Sequence, residues 1–188
     1  MPLIYLLLPA LALLLAADVR AQQPPRLELC AACHGPQGNS QNPQFPSLAG
    51  QPKVFMENQL VLIREGLRDI PPMKGVLDGL TDADLIVLAR YFSEQVPVPL
   101  STPVDAERFE RGKVLARSML CGTCHLPDYK GREQMPRLAG QHETFLRAVM
   151  EEYRDKPGPG RDTVMTNALG GLNNQHLDDL AHFLSHVK

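Results

Sequence analysis

The sequence contains no tryptophan, and aromatic residues make up only 5% of its 188 positions. It has no run rich in lysine and arginine, and its formal net charge of −2 lies too near neutrality for a nucleic-acid-binding protein. No stretch of any length shows the alternation of a half-buried strand, so we expect an all-α fold. All four cysteines lie in two short motifs, which leaves none for a structural disulfide or a separate thiol site.

A five-residue frame, Cys-Xaa-Xaa-Cys-His, occurs twice at a separation of 91 residues. It consists of Cys30, Cys33 and His34 and, later, of Cys121, Cys124 and His125. Positions i, i+3 and i+4 share one face of a helix, so two thiols there can each bond a haem vinyl group while the histidine reaches the iron. The frame is the attachment signature of c-type haem and predicts two covalently bound haem c groups. Buried haem would also supply apolar bulk that the few aromatic residues do not.

Two other kinds of site use paired cysteines. A thioredoxin-like redox site needs a βαβ setting, of which the sequence gives no sign. A zinc site needs four thiolates or a set of thiolates and histidines, but the two pairs are separated here by the length of a whole domain. Haem attachment is the interpretation that accounts for a histidine directly after both pairs.

The sixth ligand of the first iron is predicted to be Met73. His34 is the only histidine in the first half, so a second histidine ligand from that half is excluded. Met56 lies in an apolar helical run and is expected in the core. Met73 follows His34 by 39 residues, in a segment interrupted by prolines, where the chain can fold back over the ring. An axial methionine raises the reduction potential of a haem.

The second half offers more candidate ligands, which are Met119, Met135, Met150, Met165, His142, His176, His182 and His186. We predict Met165, because it matches Met73 in the repeat and lies 40 residues after the attachment histidine. Met119 lies too close to the attachment motif, and Met150 is expected in the core. His142 remains the alternative ligand.

Two other pairs of residues carry secondary expectations. His182 and His186 lie near the end of the last predicted helix, where a cation suits the helix dipole, and we expect them to be solvated. Pro46 and Pro136 stand in matching loops. Each could present a backbone carbonyl to the ring N–H of a ligating histidine or simply form a turn, and the sequence leaves both interpretations open.

The N-terminus has the pattern of an export signal. Residues 4–17 are almost wholly apolar and end in small side chains, and Val19-Arg20-Ala21 offers a cleavage site. The apolar run is shorter than the roughly 20 residues of a spanning helix. We therefore expect residues 1–21 to be a signal peptide and the mature protein to be periplasmic. An uncleaved anchor, with membrane association, is the alternative.

The two halves of the chain are a tandem repeat. Pro46-Ser-Leu-Ala-Gly-Gln51 is echoed by Pro136-Arg-Leu-Ala-Gly-Gln141, and the apolar pattern of the last helix recurs as well. Each half is close to the size at which a hydrophobic core alone gives marginal stability. A covalently attached haem in each half would therefore also contribute to folding.

The repeat divides the chain into two predicted domains over residues 22–96 and 105–188, joined by a proline-rich linker over 97–104. Apolar spacing predicts a helix over 54–65. Thr81 is a natural N-cap for a helix that runs to about Glu94. In the second half we expect a single helix over 106–121 that leads into the haem motif.

Taken together, these features resemble the cytochrome c4 family over nearly all of the predicted mature chain. The resemblance is carried by the two haem motifs, the paired Pro-Xaa-Leu-Ala-Gly-Gln motifs, and a methionine seven residues before the leucine that begins each final helix. It implies two tandem class I cytochrome c domains related by a pseudo-twofold axis, with the haems near the interface. It also implies thioether attachment at all four cysteines, proximal ligation by His34 and His125, and distal ligation by Met73 and Met165. One departure is Leu126, which stands where the first repeat has a glycine.

The resemblance further implies an electron carrier that passes electrons from a quinol-oxidising complex to a terminal oxidase, with no small-molecule substrate. Full His/Met coordination would leave no open position on either iron. The alternatives are a di-haem subunit of a flavocytochrome-type sulfide dehydrogenase, a small di-haem oxidoreductase such as a peroxidase or thiosulfate-oxidising cytochrome, and a haem-based sensor. Residues 22–100 are acidic by two charges and residues 101–188 are neutral, so we expect the domains to face different redox protein partners.

Overall fold

The computed structural model describes residues 24–188, and the predicted signal peptide over 1–21 lies outside them. Eight α-helices occur in this part of the chain: α1 (Leu27–His34), α2 (Lys53–Arg64), α3 (Asp82–Ser93), α4 (Ala106–Ser118), α5 (Cys121–His125), α6 (Glu143–Asp155), α7 (Thr163–Leu169) and α8 (Asn174–His186). Residues 24–188 contain no strand, only an isolated bridge between Arg132 and Met135. The prediction of an all-α fold is confirmed. No helix in this range is long and apolar enough to cross a membrane.

The first hydrophobic core lies between α2 and α3, with the apolar side of α1 against it. The Thr81 hydroxyl accepts from the backbone N–H of Asp84, and the Asp84 carboxylate accepts from the N–H of Thr81, which is a capping box. The predicted N-cap is therefore confirmed, and α2 begins and ends one residue earlier than predicted. The buried side chains of this core are Met56, Leu60, Leu77, Leu85, Leu88, Ala89 and Phe92.

The second core is organised by α8, which packs against both α4 and α6. Helices α4 and α8 touch at Gly112, where a Cβ atom would lie 2.1 Å from the carbonyl oxygen of Asp179 and 2.7 Å from the Cβ of Phe183. The rings of Phe109 and Tyr129 meet the Phe183 ring edge-on, at centroid distances of 5.2 and 5.4 Å. The glycine thus allows a close helix crossing beside an aromatic cluster.

The prediction of one continuous helix over 106–121 is wrong. Helix α4 ends at Ser118, Leu120 has a left-handed backbone with φ of 58°, and α5 begins at Cys121. In the first half, by contrast, the helix runs unbroken from Leu27 through the haem motif. The break separates the second motif from α4, and Leu120 at the break is 70% exposed. A left-handed leucine is sterically unfavourable, and the sequence has no glycine or asparagine at this position that would signal the break.

The two predicted distal methionines lie in different local structures. Met73 ends a 3-10 turn that begins with Pro71 and Pro72. Met165 lies in the first turn of α7, where the Asp162 side chain accepts a hydrogen bond from its backbone N–H. The repeat does not predict α7, because its counterpart in the first half is only a turn. Both methionines nevertheless pack against the core of their own half.

The chain between α3 and α4 is extended and held to the first half at its start. The Asn39 side chain donates to the carbonyl oxygen of Val96 at 3.1 Å and accepts from the N–H of Val98 at 2.8 Å. This course is consistent with the stiffness expected of a proline-rich segment. The boundaries of the predicted linker and domains remain predictions.

Candidate haem sites

The first candidate site is carried by α1. Its helical backbone places Cys30, Cys33 and His34 on neighbouring turns, and His34 is buried at 8% exposure. The Nδ1–H of His34 donates to the carbonyl oxygen of Pro46 at 2.9 Å. A carbonyl can only accept, so this bond leaves Nε2 unprotonated and able to bind a metal. Burial lowers the pKa of His34, and the bond to Pro46 offsets only part of that effect, so the neutral ring is favoured.

The second candidate site repeats this arrangement on α5. The Nδ1–H of His125 donates to the carbonyl oxygen of Pro136 at 3.0 Å, and the ring is 3% exposed. Burial again lowers the pKa of His125 and outweighs the opposing effect of the Pro136 bond. Both prolines therefore supply the carbonyl acceptor, which was the first of the two interpretations that the sequence left open.

The Nε2 atom of His125 is the one buried side-chain nitrogen or oxygen in residues 24–188 that has no hydrogen-bond partner. A buried polar atom without a hydrogen-bond partner costs about 1–3 kcal/mol of stability. The Nε2 atom of His125 therefore needs a partner, and no group of residues 24–188 provides one. An iron ion on that side of the ring would supply one. The residues present fit a haem on this test, and the same ring geometry is repeated at His34.

The four cysteines are all free thiols. In each pair the first sulfur is half-buried and the second is exposed, as Cys30 and Cys33 show and as Cys121 and Cys124 repeat. Burial raises the pKa of the Cys30 and Cys121 thiols, which opposes thiolate chemistry. Neither pair forms a disulfide, so all four sulfurs remain available for thioether bonds. A cleft of about 460 Å³ opens beside Cys124.

Met56 and Met150 are buried in the first and second cores, with exposures of 4% and 8%, which confirms them as core residues. Met73 and Met165 are only partly buried. Neither side chain is therefore wholly enclosed by the core against which it packs. Their role as distal ligands remains a prediction.

The histidines of the second half differ from expectation. The Nε2–H of His142 donates to the carbonyl oxygen of Ser40 in the first half at 2.9 Å. In the structure this alternative ligand therefore forms a hydrogen bond between the two halves. His182 was expected to be solvated, which is wrong, since it is 3% exposed. Its Nδ1–H donates to Glu143 at 2.7 Å and its Nε2 accepts from the N–H of Asp105 at 2.9 Å. It is buried because these two partners replace water.

The loops that serve the two histidines meet each other between the halves. Gln51, which ends the first Pro-Xaa-Leu-Ala-Gly-Gln motif, bonds both backbone groups of Arg137. Gln141, which ends the second motif, bonds both backbone groups of Ser47 in the same way. In the sequence these motifs indicated a repeat, a family resemblance and a possible carbonyl acceptor, but no contact between the halves. Their shared final glutamine was the signal that could have indicated a paired role.

Comparisons with known proteins agree with this geometry. Residues 109–188 match the family model for cytochrome c, and residues 27–92 match that for cytochrome c oxidase, cbb3-type, subunit III. The chain is 32% identical to a cytochrome c4 of Pseudomonas aeruginosa, over 90% of this chain and 88% of that one. It is also 32% identical to a thiosulfate dehydrogenase electron acceptor of Thiomonas intermedia, over 72% of this chain and 67% of that one.

Among solved structures, reduced recombinant cytochrome c4 from Pseudomonas stutzeri superposes with a TM-score of 0.80 at 29% sequence identity. The match covers 87% of this chain and 95% of that one, so it includes both halves rather than a single cytochrome domain. Two haem motifs, two anchored histidines and two cytochrome c domains therefore describe a di-haem electron-transfer protein with two haem c groups. The chain belongs to the cytochrome c4 family.

Proposed function

We propose that this protein carries electrons in the periplasm, from a quinol-oxidising complex to a terminal oxidase. In this proposal Cys30, Cys33, Cys121 and Cys124 hold the two haems through thioether bonds. His34 and His125 are the proximal ligands, and Met73 and Met165 are the distal ligands. Bound haem c supplies a one-electron couple between ferric and ferrous iron.

The observation that carries the proposal is the buried, unpartnered Nε2 of His125. The carbonyl of Pro136 fixes the tautomer and orientation of the ring, as the second partner of a metal-binding histidine normally does. Burial lowers the pKa of His125, which favours the neutral imidazole, and it excludes water from the metal-binding side of the ring. His34 and Pro46 repeat these features in the first half.

Two flexible thioether side chains near their own cores support the assignment of the distal ligands. Met73 and Met165 are the methionines of their halves that combine partial burial with equivalent positions in the repeat. If Met73 and Met165 complete the coordination of the two irons, no position would be left for a substrate to bind iron. This favours an electron carrier over an oxidoreductase or a sensor.

The charge distribution supports protein partners that differ for the two halves. The first half is acidic by two charges and the second is neutral, so electrostatic steering would act mainly on the first. Reversing single acidic side chains of the first half should alter the association rate with one partner and leave the other partner unchanged. Equal effects on both partners would show that the two halves do not bind different partners.

A second candidate function is supported by one relative. The match to a thiosulfate dehydrogenase electron acceptor covers about two thirds of that protein, so the chain could accept electrons from a periplasmic dehydrogenase, as a flavocytochrome subunit also does. Stable co-purification with such a dehydrogenase, and reduction by it at a rate faster than by the quinol-oxidising complex, would favour this candidate.

The ligand assignment is tested by the visible spectrum of the exported protein, ferric and then dithionite-reduced, with haem counted as the pyridine haemochrome. Two low-spin haems per chain, both with the ferric methionine–iron charge-transfer band, are expected. Met165→Ala should abolish half of that band and open one haem to carbon monoxide, whereas the core substitution Met150→Leu should change neither. An intact band in Met165→Ala would overturn the assignment of that ligand.

A further inference from the structure

We propose that Gln51 and Gln141 are positioning residues that tune the haem of the opposite half. The inference rests on the proposed proximal ligands, His34 and His125, and adds a connection between them that crosses the interface. Each glutamine side chain reaches the histidine of the other half through a single peptide group.

The first connection begins at the ring of His34. Its Nδ1–H donates to the carbonyl oxygen of Pro46 at 2.9 Å, and that carbonyl belongs to the same peptide group as the N–H of Ser47. The N–H of Ser47 donates to Oε1 of Gln141 at 2.9 Å. The Nε2–H of Gln141 then donates to the carbonyl of Ser47 at 2.8 Å, which fixes the orientation of the amide.

The second connection is the mirror of the first. The Nδ1–H of His125 donates to the carbonyl oxygen of Pro136 at 3.0 Å, and the N–H of Arg137 in the same peptide group donates to Oε1 of Gln51 at 3.0 Å. The Nε2–H of Gln51 donates to the carbonyl of Arg137 at 2.9 Å. Both glutamines are buried, at 6% and 5% exposure, so water does not compete for these bonds.

Hydrogen bonds in such a chain polarise one another, by roughly 10–30% per bond. An acceptor on the peptide N–H makes the carbonyl oxygen of the same peptide more negative, so it draws the histidine Nδ1–H more strongly. The ring then becomes a stronger electron donor through Nε2 and favours ferric iron. Each glutamine is therefore expected to lower the reduction potential of the haem in the other half.

The two connections are unequal. Oε1 of Gln141 also accepts from the backbone N–H of His142 at 3.0 Å, so its acceptor capacity is shared. The residue after Gln51 is Pro52, which has no N–H to donate, so Oε1 of Gln51 acts on Arg137 without that competitor. The effect of Gln51 on the second haem should be the larger of the two.

The test measures both midpoint potentials by spectroelectrochemistry in the full-length holoprotein. Gln141→Leu should raise the potential of the first haem, and Gln51→Leu that of the second. Each rise should correspond to a few-fold shift in the ferrous/ferric ratio, up to about tenfold, which is about 59 mV for one electron. Gln141→Asn and Gln51→Asn, which keep an amide, give smaller shifts of the same sign and serve if a leucine variant does not fold.

The control is His142→Leu, which removes the bond to Ser40 across the interface and leaves both glutamine connections in place. It should move neither potential selectively. Equal shifts of both haems in every variant, or no shift in either glutamine variant, would overturn the proposal in favour of a purely structural contact. The ferric charge-transfer band, recorded in the same samples, separates this outcome from failure of the proposed distal ligands: if the band is absent from the unsubstituted protein, the assignment of Met73 and Met165 is at fault.

Discussion

At the residue scale, Asp179 shows how the second half tolerates a buried charge. The side chain is 5% exposed and is held by the Arg111 guanidinium through two bonds, of 2.7 and 2.9 Å, and by the Gln175 amide at 3.0 Å. The Arg111 hydrogen bonds are the main cause of a pKa held below the usual aspartate value of 3.8. Arg111 lies in α4 and Asp179 in α8, so these bonds link the two helices. Removing a partner from a buried charge is costly.

Asp179 should make the second half sensitive to acid. Its pKa is lower in the folded state than in the unfolded state, so its stabilisation is complete above about pH 4 and is lost as pH falls through the lowered pKa. Asp179→Asn should lower the unfolding temperature at pH 7 and flatten its decline below pH 4, as followed by differential scanning calorimetry. Asp178→Asn alters a more exposed ion pair and should have little effect. An unchanged acid limb in Asp179→Asn would contradict the argument.

At the element scale, the crossing of α4 and α8 depends on the absence of a side chain at Gly112. Gly112→Ala would place a methyl group 2.1 Å from a backbone oxygen, and such overpacking costs about 1–3 kcal/mol. Alanine recovers up to about 1 kcal/mol of helix propensity, so a net loss of up to about 2 kcal/mol is expected. Denaturant unfolding monitored at the second haem would measure it.

Gly171→Ala is the matched control, since nothing lies within 4 Å of a Cβ at that position. It should leave the free energy of unfolding nearly unchanged. If both alanine variants were equally stable, the two helices would have room to separate, and the close crossing would not be a constraint.

The contribution of the capping box to the stability of the first half can be tested at the start of α3. Thr81→Ala removes the hydroxyl that accepts from Asp84 and should cost about 1 kcal/mol, seen as a lower unfolding temperature for the first half. Thr81→Ser keeps the acceptor and should retain most of the stability. Equal losses in the two variants would mean that the methyl group, not the cap, matters.

The sequence predicted α3 and its cap because apolar spacing and a threonine followed by aspartates are local signals. It predicted both haem motifs for the same reason. It did not predict the break at Leu120, because a left-handed leucine is imposed by the fold and not by the residue's own preference. The contacts of His142 and His182 were also missed, since their partners lie 102 and 39 residues away in the chain.

At the scale of the whole molecule, the haems are expected to be part of the folding unit. Neither core is large, and His125 keeps a buried nitrogen without a protein partner. Replacing all four cysteines by alanine should give a haem-free chain with no cooperative thermal transition. Replacing only Cys30 and Cys33 should leave one transition, from the second half. A cooperative transition in the haem-free chain would contradict this expectation.

The reciprocal contacts of the paired glutamines bear on how the sequences of the two halves can evolve. Gln51 touches Arg137 while Gln141 touches Ser47, which is the reciprocal pattern of a homodimer interface. The chain is in this respect a homodimer whose subunits have been fused. In a true homodimer every substitution appears in both subunits, but here the equivalent positions of the repeat hold Pro52 in one half and His142 in the other. Fusion therefore permits two dissimilar redox sites within a frame that still has the contacts of two identical ones.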